Sequence, residues 1–484
     1  MKYYLLIALT LALLILWPLH APSTWYPMHD STHLTRLNLI TDTINSGQFP
    51  PIWAEGINNG YGYPLFHFYA PLFHFLSYAI HVLGFGLATS LKLALLLATL
   101  AGAWGMLKWA GRRGRLAGTL ASAAFILSPY GALNLYVRGA YSEYLSLMLL
   151  PWVFLSLEYL NTRKQVIIAA IMLSLFFLSH NLVPILATPL IIIWALANNP
   201  TRLKNLFLTA LLAFGLTAWF LLPVLVERSF TQTDLVAKTT NYGLHFVNPA
   251  QIWNSTWGFG GSAPGVEDGM SFKLGKLQLL LAGLGVIMAI KKRSHIGLLL
   301  GFASLFYLYL ATPLSRPLWD ILPVLQMVQF PWRALGVSSV LLSWLVGYAV
   351  ARILPRPFRL LISVCLIGAL LALNLKYFSP QSIISPPDTS RDIASVVPEY
   401  MPRWMKNVPT TPALPLERAY YPTWKVLLDG HSVPTSVDES GILTYPNPDN
   451  STNIQLIQSH TPLQKFAYAI TLFTVLLTII YAKH

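Results

Sequence analysis

Residues 88–108 read ATSLKLALLLATLAGAWGMLK, an apolar run in which Lys92 and Lys108 carry the only charges. A helix needs about 20 such residues to cross the hydrocarbon core of a bilayer, so this run predicts a membrane-spanning helix. The rest of the 484-residue chain has the same character, since 55% of its residues are hydrophobic and only 10% are charged. Soluble globular domains carry about 25% charged residues. The sequence therefore predicts a polytopic membrane protein.

Apolar runs on both sides of residues 88–108 predict about 12 spans in a mainly α-helical chain. Short basic clusters separate these runs, and such clusters indicate membrane topology rather than a nucleic-acid partner, despite the net charge of +14. The single cysteine, Cys365, excludes an intramolecular disulfide and a cysteine metal site. We expect the first run to remain as an uncleaved span, because no clear signal-peptide cleavage site follows it. The predicted spans are 3–19, 88–108, 116–136, 144–160, 166–180, 183–197, 205–226, 277–290, 295–312, 334–353, 358–376 and 466–482.

One long apolar stretch, residues 65–85, is predicted not to cross. It reads LFHFYAPLFHFLSYAIHVLGF, and its histidines, aromatic residues and proline are typical of the membrane interface. If this stretch lies on the outer surface, the basic clusters all fall on the same side as Lys2. If it spans, every later cluster moves to the opposite side. The positive-inside rule favours the surface position, which makes the long segments 20–87, 227–276, 313–333 and 377–465 extracytoplasmic.

The last long segment differs from the others in composition. It is rich in proline at first and then contains strand-like runs, one of which ends at Asp429-Gly430, a dipeptide typical of a type I′ hairpin turn. We therefore predict a polytopic membrane domain over residues 1–376, with a first outer loop at 20–87. A Pro-rich linker and a small extracytoplasmic β domain follow over 377–465, and a final transmembrane helix over 466–484.

Asp30 is the main candidate for catalysis in the first outer loop. It lies about ten residues past the first predicted span, close to the membrane surface. A carboxylate there can act as a general base or hold a metal beside a lipid-borne substrate. The alternative is structural, with Asp30 or Ser31 capping a helix. His29 and Arg36 are candidate substrate-binding residues on either side.

Arg138 and Glu143 lie at the outer ends of two adjacent predicted spans. Ionisable groups at this depth are costly unless they are paired or functional. One interpretation is an ion pair that fastens the hairpin. The other gives Arg138 to a substrate phosphate and Glu143 to the acceptor or a metal. The sequence supports both equally.

Three further polar residues interrupt or border apolar runs. His180 is either a packing residue or a third catalytic candidate at the outer boundary. Gln329 and Arg333 belong to QFPWR (329–333), which precedes a predicted span. Arg333 is either part of an interfacial aromatic belt or a guanidinium that binds phosphate, with Gln329 as a neighbouring binding group.

These residues lie in short motifs that resemble a bacterial membrane family described as related to 6-pyruvoyl-tetrahydropterin synthase. The resemblance runs over nearly the whole chain. Pterin synthase itself is a small soluble zinc enzyme, and its histidine ligand core is absent here. The motifs are HDSTHLTR (29–36), GQFPP (47–51), GYGYPLF (60–66), RGA with Glu143 (138–143), SHN (179–181), QFPWR (329–333), EYMP (399–402) and YPTWK with Asp429-Gly430 (421–430).

The family is similar in turn to the GT-C glycosyltransferases, including the YfhO-type proteins. This resemblance implies a multi-pass protein of the cytoplasmic (inner) membrane, with its active face extracytoplasmic and a polyprenyl-phosphate-linked sugar as donor. It also implies that Asp30 matches the acidic position of the first GT-C loop. Many GT-C enzymes have two adjacent acids there, whereas this chain has His29-Asp30. That departure weakens the expectation of a bound divalent cation, and the sequence predicts no metal site.

The sequence thus leads to one hypothesis and one rival. The hypothesis is an integral membrane glycosyltransferase that moves a sugar from a polyprenyl-phosphate donor to an extracytoplasmic acceptor. Its site would contain Asp30 together with Arg138 or Arg333 around one cavity. The rival is a non-enzymatic polyprenyl-glycan flippase or a cell-envelope assembly scaffold with the same fold, because fold alone does not determine function. Both have membrane lipid as a partner.

Overall fold

The computed structural model describes residues 2–233, 241–353, 356–389, 398–407, 409–448 and 451–483. Helices lie in each of the twelve apolar runs that were predicted to span. The run 116–136 does not form a single helix, because it is divided into two α-helices and a π-helical turn. The first helices are α1 (Lys2–Leu16), α2 (His33–Asn45), α3 (Leu65–Phe68), α4 (Leu72–Val82), α5 (Leu87–Gly111), α6 (Arg115–Ile126), α7 (Pro129–Ala132), α8 (Tyr141–Ser156), α9 (Arg163–Ser179), α10 (Val183–Asn198) and α11 (Leu203–Val226). The later ones are α12 (Pro249–Trp253), α13 (Lys276–Lys291), α14 (His295–Leu310), α15 (Arg316–Ile321), α16 (Pro323–Gln326), α17 (Ala334–Ile353), α18 (Arg359–Asn374) and α19 (Pro462–Lys483).

Within the described residues, five helices are long and apolar enough to cross a membrane, or up to seven if each of two bent helix pairs is one span. A polytopic helical membrane fold is therefore confirmed, while the count of about 12 spans stays a prediction. Several helices fall short because they have only 16 or 17 residues, among them α8, α9 and α10. Residues 65–85 form the short helices α3 and α4, and neither reaches spanning length.

The chain divides into two compact units. The first unit comprises Met1–Ser31, Ile80–Thr209 and Asn241–Pro386. The second unit comprises Thr32–Ala79, Ala210–Thr240 and Pro387–His484. Each unit combines separate parts of the sequence, and the linear boundaries predicted at residues 376 and 465 stay predictions.

Small residues allow the helices of the first unit to pack closely. Helix α17 packs against α6, α13 and α14, and α5 packs against α6 and α8. A Cβ atom at Gly347 of α17 would lie 2.4 Å from the carbonyl oxygen of Ala117. A Cβ atom at Gly118 of α6 would lie 2.4 Å from the carbonyl oxygen of Leu107. Such close approach of backbones is typical of helix contacts in membranes, where no hydrophobic effect drives association between the helices.

The second unit contains the strands that were predicted near the C-terminus. Strands β1 (Trp424–Leu428), β2 (His431–Val433) and β5 (Ile454–Gln458) form an antiparallel sheet in the order β2-β1-β5. Strands β3 (Ser436–Val437) and β4 (Leu443–Thr444) form a second antiparallel pair. Asp429 and Gly430 both have positive φ angles, 49° and 84°, as a type I′ turn requires. The small C-terminal sheet is confirmed.

Candidate functional site

The site in the first unit begins at a break between α6 and α8. Helix α6 is followed by α7 and by one π-helical turn, Leu133–Arg138. The axis of the segment Pro129–Arg138 is bent by 41° from the axis of α6. Gly139 ends the turn with a φ of 63°, and a Cβ atom there would lie 2.4 Å from Sδ of Met28. Only glycine fits both the left-handed backbone and the available space. The turn places Arg138 beside Glu143 in the first turn of α8.

Glu143 is the centre of a buried polar cluster, with only 1% of its surface exposed. Arg138 donates two parallel hydrogen bonds of 2.8 Å, one to each carboxylate oxygen. The Tyr130 hydroxyl donates to Oε1 at 2.7 Å, and Asn134 Nδ2 donates to the same atom at 3.2 Å. Arg333 adds a second cation, with Nε 3.6 Å from Oε2. A carboxylate removed from water to this extent is tolerated because it is paired with cations and hydrogen-bonded.

Arg333 approaches the cluster from the opposite end of the sequence, just before α17. Its Nη1 atom donates to the carbonyl oxygen of Val328 at 2.5 Å and to Oε1 of Gln329 at 3.1 Å. Gln329 itself has a φ of 69°, a backbone conformation that is uncommon for residues other than glycine. The ring of Trp332 lies beside both guanidinium groups. Its centre is 4.3 Å from Cζ of Arg138 and 5.8 Å from Cζ of Arg333. The QFPWR segment therefore contributes an aromatic wall as well as a cation, and both sequence interpretations of Arg333 are compatible with this position.

Asp30 joins the cluster through its backbone. Its N–H donates to the carbonyl oxygen of Arg138 at 2.9 Å, and the N–H of His29 donates to Val137 at 3.0 Å. The Asp30 carboxylate is half-buried and interacts electrostatically with the Arg138 guanidinium. Helix α2 starts at His33, and its N-cap residue is Thr32. The structural alternative had given this N-cap position to Asp30 or Ser31. The ring of His29 is exposed, with Nε2 3.0 Å from the carbonyl oxygen of Phe259.

His180 lies at the junction of α9 and α10. Its Nδ1 atom accepts hydrogen bonds from the backbone N–H groups of Leu182 and Val183, at 3.1 and 3.0 Å. Because a backbone N–H can only donate, Nδ1 is the accepting nitrogen and Nε2 carries the hydrogen of the neutral ring. His180 lies close enough to Glu143 for a charge on one side chain to affect the other. His180 therefore stabilises the start of α10 and lies near the Glu143 cluster without a hydrogen bond to Glu143 among the described contacts.

Arg36 belongs to the second unit, unlike the other candidate residues. It is buried, and its Nη1 atom donates to the Tyr69 hydroxyl at 3.1 Å. Within the described part of the chain, no group of three or more His, Cys, Asp or Glu side chains is arranged to hold a metal ion.

Two neutral members of the Glu143 cluster, Tyr130 and Asn134, were not among the sequence candidates. They lie four residues apart, a spacing that places side chains on one helix face, and Arg138 is four residues further on. A polar residue at every fourth position of an apolar run is the pattern that would have revealed them.

His245 was missed as well. Its Nδ1 atom lies 3.1 Å from Oγ of Ser262, and its ring meets the edge of Phe330 at 4.8 Å. Burial lowers the pKa of His245, and the nearby Asp268 opposes that shift. The imidazole is therefore held towards its neutral form next to the QFPWR segment.

Comparison with solved structures shows the type of fold. The apo oligosaccharyltransferase of Archaeoglobus fulgidus is similar with a TM-score of 0.50 and 16% identity, over 80% of this chain and 56% of that chain. Arabinofuranosyltransferase AftD from mycobacteria matches with a TM-score of 0.43 and 18% identity, over 78% of this chain and 28% of that chain. This chain therefore spans less than two thirds of the length of either protein. The likeness to the oligosaccharyltransferase supports a GT-C-like fold.

Comparison of sequences shows the family. No curated protein matches the chain. The model of the 6-pyruvoyl-tetrahydropterin synthase related domain, which is described as a membrane protein, matches residues 66–380. That match covers well over half of the chain and includes Arg138, Glu143, His180 and the QFPWR segment. The chain therefore belongs to the 6-pyruvoyl-tetrahydropterin synthase-related family of membrane proteins, the family that its motifs predicted.

Proposed function

We propose that this protein is an integral membrane glycosyltransferase that moves a sugar from a polyprenyl-phosphate donor to an extracytoplasmic acceptor, at the outer face of the cytoplasmic membrane. The observation that carries the proposal is the Glu143 cluster, in which one buried carboxylate contacts the guanidinium groups of Arg138 and Arg333. The backbone N–H of Asp30 donates to the carbonyl oxygen of Arg138, which attaches Asp30 to this cluster. The GT-C-like fold supports it. A general base and a phosphate-binding cation side by side are the two groups that this reaction needs.

Arg333 is the residue that we assign to the leaving phosphate. Its contact with Glu143 is 3.6 Å long, against 2.8 Å for each Arg138 contact, so Glu143 holds it less tightly. A guanidinium fits a phosphate with two parallel hydrogen bonds. Placed in advance beside the oxygen on which negative charge develops, it stabilises the transition state without reorganisation. Gln329, which accepts a hydrogen bond from Arg333, orients it.

Arg138 and Glu143 have a positioning role in this proposal. Arg138 donates one hydrogen bond to each oxygen of the Glu143 carboxylate. The carbonyl oxygen of Arg138 in turn accepts the N–H of Asp30. The Arg138–Glu143 ion pair therefore holds the backbone segment that binds Asp30, while Arg333 keeps a longer contact with the same carboxylate. His180 has a structural part in this proposal, since its Nδ1 atom accepts the backbone N–H groups of Leu182 and Val183 at the start of α10.

Asp30 is the general base. It takes the proton of the acceptor hydroxyl while the acceptor oxygen forms a bond to the anomeric carbon of the donor. The bond from that carbon to the phosphate oxygen breaks, and the electron pair leaves with the polyprenyl phosphate. Attack opposite the leaving group inverts the anomeric centre. The ring of His29, next to Asp30, is exposed, and with Nε2 on the Phe259 carbonyl oxygen it offers Nδ1 to acceptor hydroxyls.

The test is incubation of the purified protein with a panel of polyprenyl-phosphate sugars, measuring release of polyprenyl phosphate. The wild type should release it with at least one donor. Asp30→Asn keeps the shape of the side chain and loses its basicity, so release should fall by about 10²-fold or more. Arg403→Gln, a change at an exposed arginine of the second unit, is the control and should behave as the wild type. Release that is unchanged in Asp30→Asn would reject this mechanism and favour a flippase or scaffold.

A further inference from the structure

Two lysines of the first unit lie against one tyrosine ring just after α18. The Nζ atom of Lys273 lies 4.8 Å from the centre of the Tyr377 ring and donates to the Tyr377 hydroxyl at 3.3 Å. The Nζ atom of Lys376 lies 5.3 Å from the centre of the same ring. Trp257 packs on Tyr377 with ring centres 4.7 Å apart. One ring is therefore shared by two ammonium groups and an indole, and we call these four residues the Tyr377 patch.

The positive charge of the Tyr377 patch is not neutralised by acids in the described part of the chain. Among the described contacts, neither Lys273 nor Lys376 forms an ion pair with a carboxylate. A third cation is close in sequence, since Lys276 follows Lys273 by three residues and lies 5.7 Å from the centre of the Trp253 ring. Like charges repel one another, and an anion bound between them lowers their electrostatic energy. The patch is therefore complementary to a negatively charged group.

These lysines lie at the ends of two helices that border the membrane. Lys376 and Tyr377 end the segment Arg359–Tyr377, which is long and apolar enough to cross. Lys273 and Lys276 directly precede the apolar residues of α13. Lysines that determine topology collect on the cytoplasmic side, whereas the predicted topology places both of these helix ends outside. The positive-inside rule therefore does not account for the lysines of the patch.

Exposed apolar surface continues from the patch along both helices. Leu280 follows Lys276 by four residues on α13, and Leu373 precedes Lys376 by three residues at the end of α18. Both leucine side chains are exposed. Tryptophan and tyrosine rings are typical of the level of the lipid head groups. The order of cations, aromatic rings and exposed leucines therefore matches the order of head group, interface and chains in a lipid.

We propose that the Tyr377 patch binds the phosphate head group of an anionic phospholipid of the surrounding membrane, with the lipid chains against the exposed faces of α13 and α18. Lys273 and Lys376 contact the phosphate, since an ammonium group and a phosphate form charge-assisted hydrogen bonds. The juxtaposition of two lysines on one ring with lipid-facing helices carries this assignment. No bond is made or broken. Binding can be measured without turnover, so the assignment stands or falls separately from the proposed transferase activity.

The test is native mass spectrometry of the full chain in neutral detergent micelles that contain equal amounts of phosphatidylglycerol and phosphatidylcholine with the same acyl chains. The first of these lipids has a net negative charge and the second has none. We expect the first bound phosphatidylglycerol to be held at least about fivefold more tightly, because basic residues next to the membrane attract anionic lipids. Inorganic phosphate at the same concentration should not displace it, since it lacks the chains. Equal retention of the two lipids, or displacement by inorganic phosphate, would overturn the assignment.

Matched variants locate the binding. Lys273→Gln combined with Lys376→Gln removes two charges from the patch and should weaken retention of phosphatidylglycerol at least about fivefold. Lys406→Gln combined with Lys425→Gln removes two charges from exposed positions of the second unit and should retain the lipid as the wild type does. Equal retention by the two double variants would mean that the lipid binds elsewhere and that the assignment is wrong.

A single variant keeps the test decisive if the double variant of the patch does not fold. Lys376→Gln alone changes an exposed side chain, so the fold should be kept, as thermal unfolding would show. Retention of phosphatidylglycerol should then weaken at least about twofold. Retention equal to that of the wild type would decide against the patch.

Discussion

The buried charge of Glu143 ties the candidate site to the stability of the first unit. Removing one partner of a buried ion pair leaves the other charge uncompensated, at a cost of about 3–5 kcal/mol. Arg138→Met and Glu143→Leu should therefore each lower the free energy of unfolding by roughly that amount. The double variant should lose less than the sum, because it removes both charges together. Denaturant unfolding in detergent micelles measures the free energy of unfolding of the wild type, the two single variants and the double variant. Strictly additive losses would mean that the two side chains are not coupled.

The individual residues of the site could be predicted to different degrees. Arg138, Glu143 and Arg333 were recognisable because ionisable groups are rare beside apolar runs. The contacts among these three residues could not be predicted, because the sequence was equally compatible with an ion pair and with a phosphate contact for Arg138. Arg36 was grouped with Asp30 because it lies six residues further along the chain, yet the structure places it in the second unit. The catalytic and binding roles of all these residues stay predictions.

At the scale of elements, the turn between the π-helical segment and α8 depends on Gly139. Gly139→Ala forces a Cβ atom into a left-handed conformation and to within 2.4 Å of Met28 Sδ. We expect a loss of about 1–3 kcal/mol from the backbone alone, and more from the clash. Gly84→Ala is the matched control, since Gly84 also has a positive φ, 98°, but nothing within 4 Å of the added atom. Gly139→Ala should lower the unfolding temperature further than Gly84→Ala does, and equal shifts would show that the contact with Met28 is easily relieved.

Elements with a local signal were predicted well. The Asp429-Gly430 turn follows from two adjacent residues that tolerate positive φ, and β1 and β2 pair around it as expected. Helix positions followed from the apolar runs for the same reason. The number of spans stays a prediction, because helices of 16 or 17 residues are close to the length limit for crossing. The break between α14 and α15, where the chain turns by 90°, depends on packing that periodicity does not encode.

At the scale of the whole molecule, the distribution of basic residues predicts the topology. With residues 65–85 on the outer surface, the clusters at 112–115, 163–164, 202–204, 291–293 and 352–359 all lie on the cytoplasmic side. Moving that one stretch across the membrane would place every one of them outside, against the positive-inside rule. The short length of α3 and α4 supports the first arrangement.

Cysteine labelling in intact cells tests this topology. Cys365 is exposed, so it is first replaced by serine. A cysteine at Arg115, the exposed first residue of α6, should resist a membrane-impermeant thiol reagent until the cells are permeabilised. A cysteine at Glu267, an exposed position in the segment 227–276, should react at once. Because both positions are exposed, only the side of the membrane distinguishes them. Ready labelling at Arg115 together with protection at Glu267 would mean that residues 65–85 cross the membrane. The Glu143 cluster would then need a donor on the opposite face.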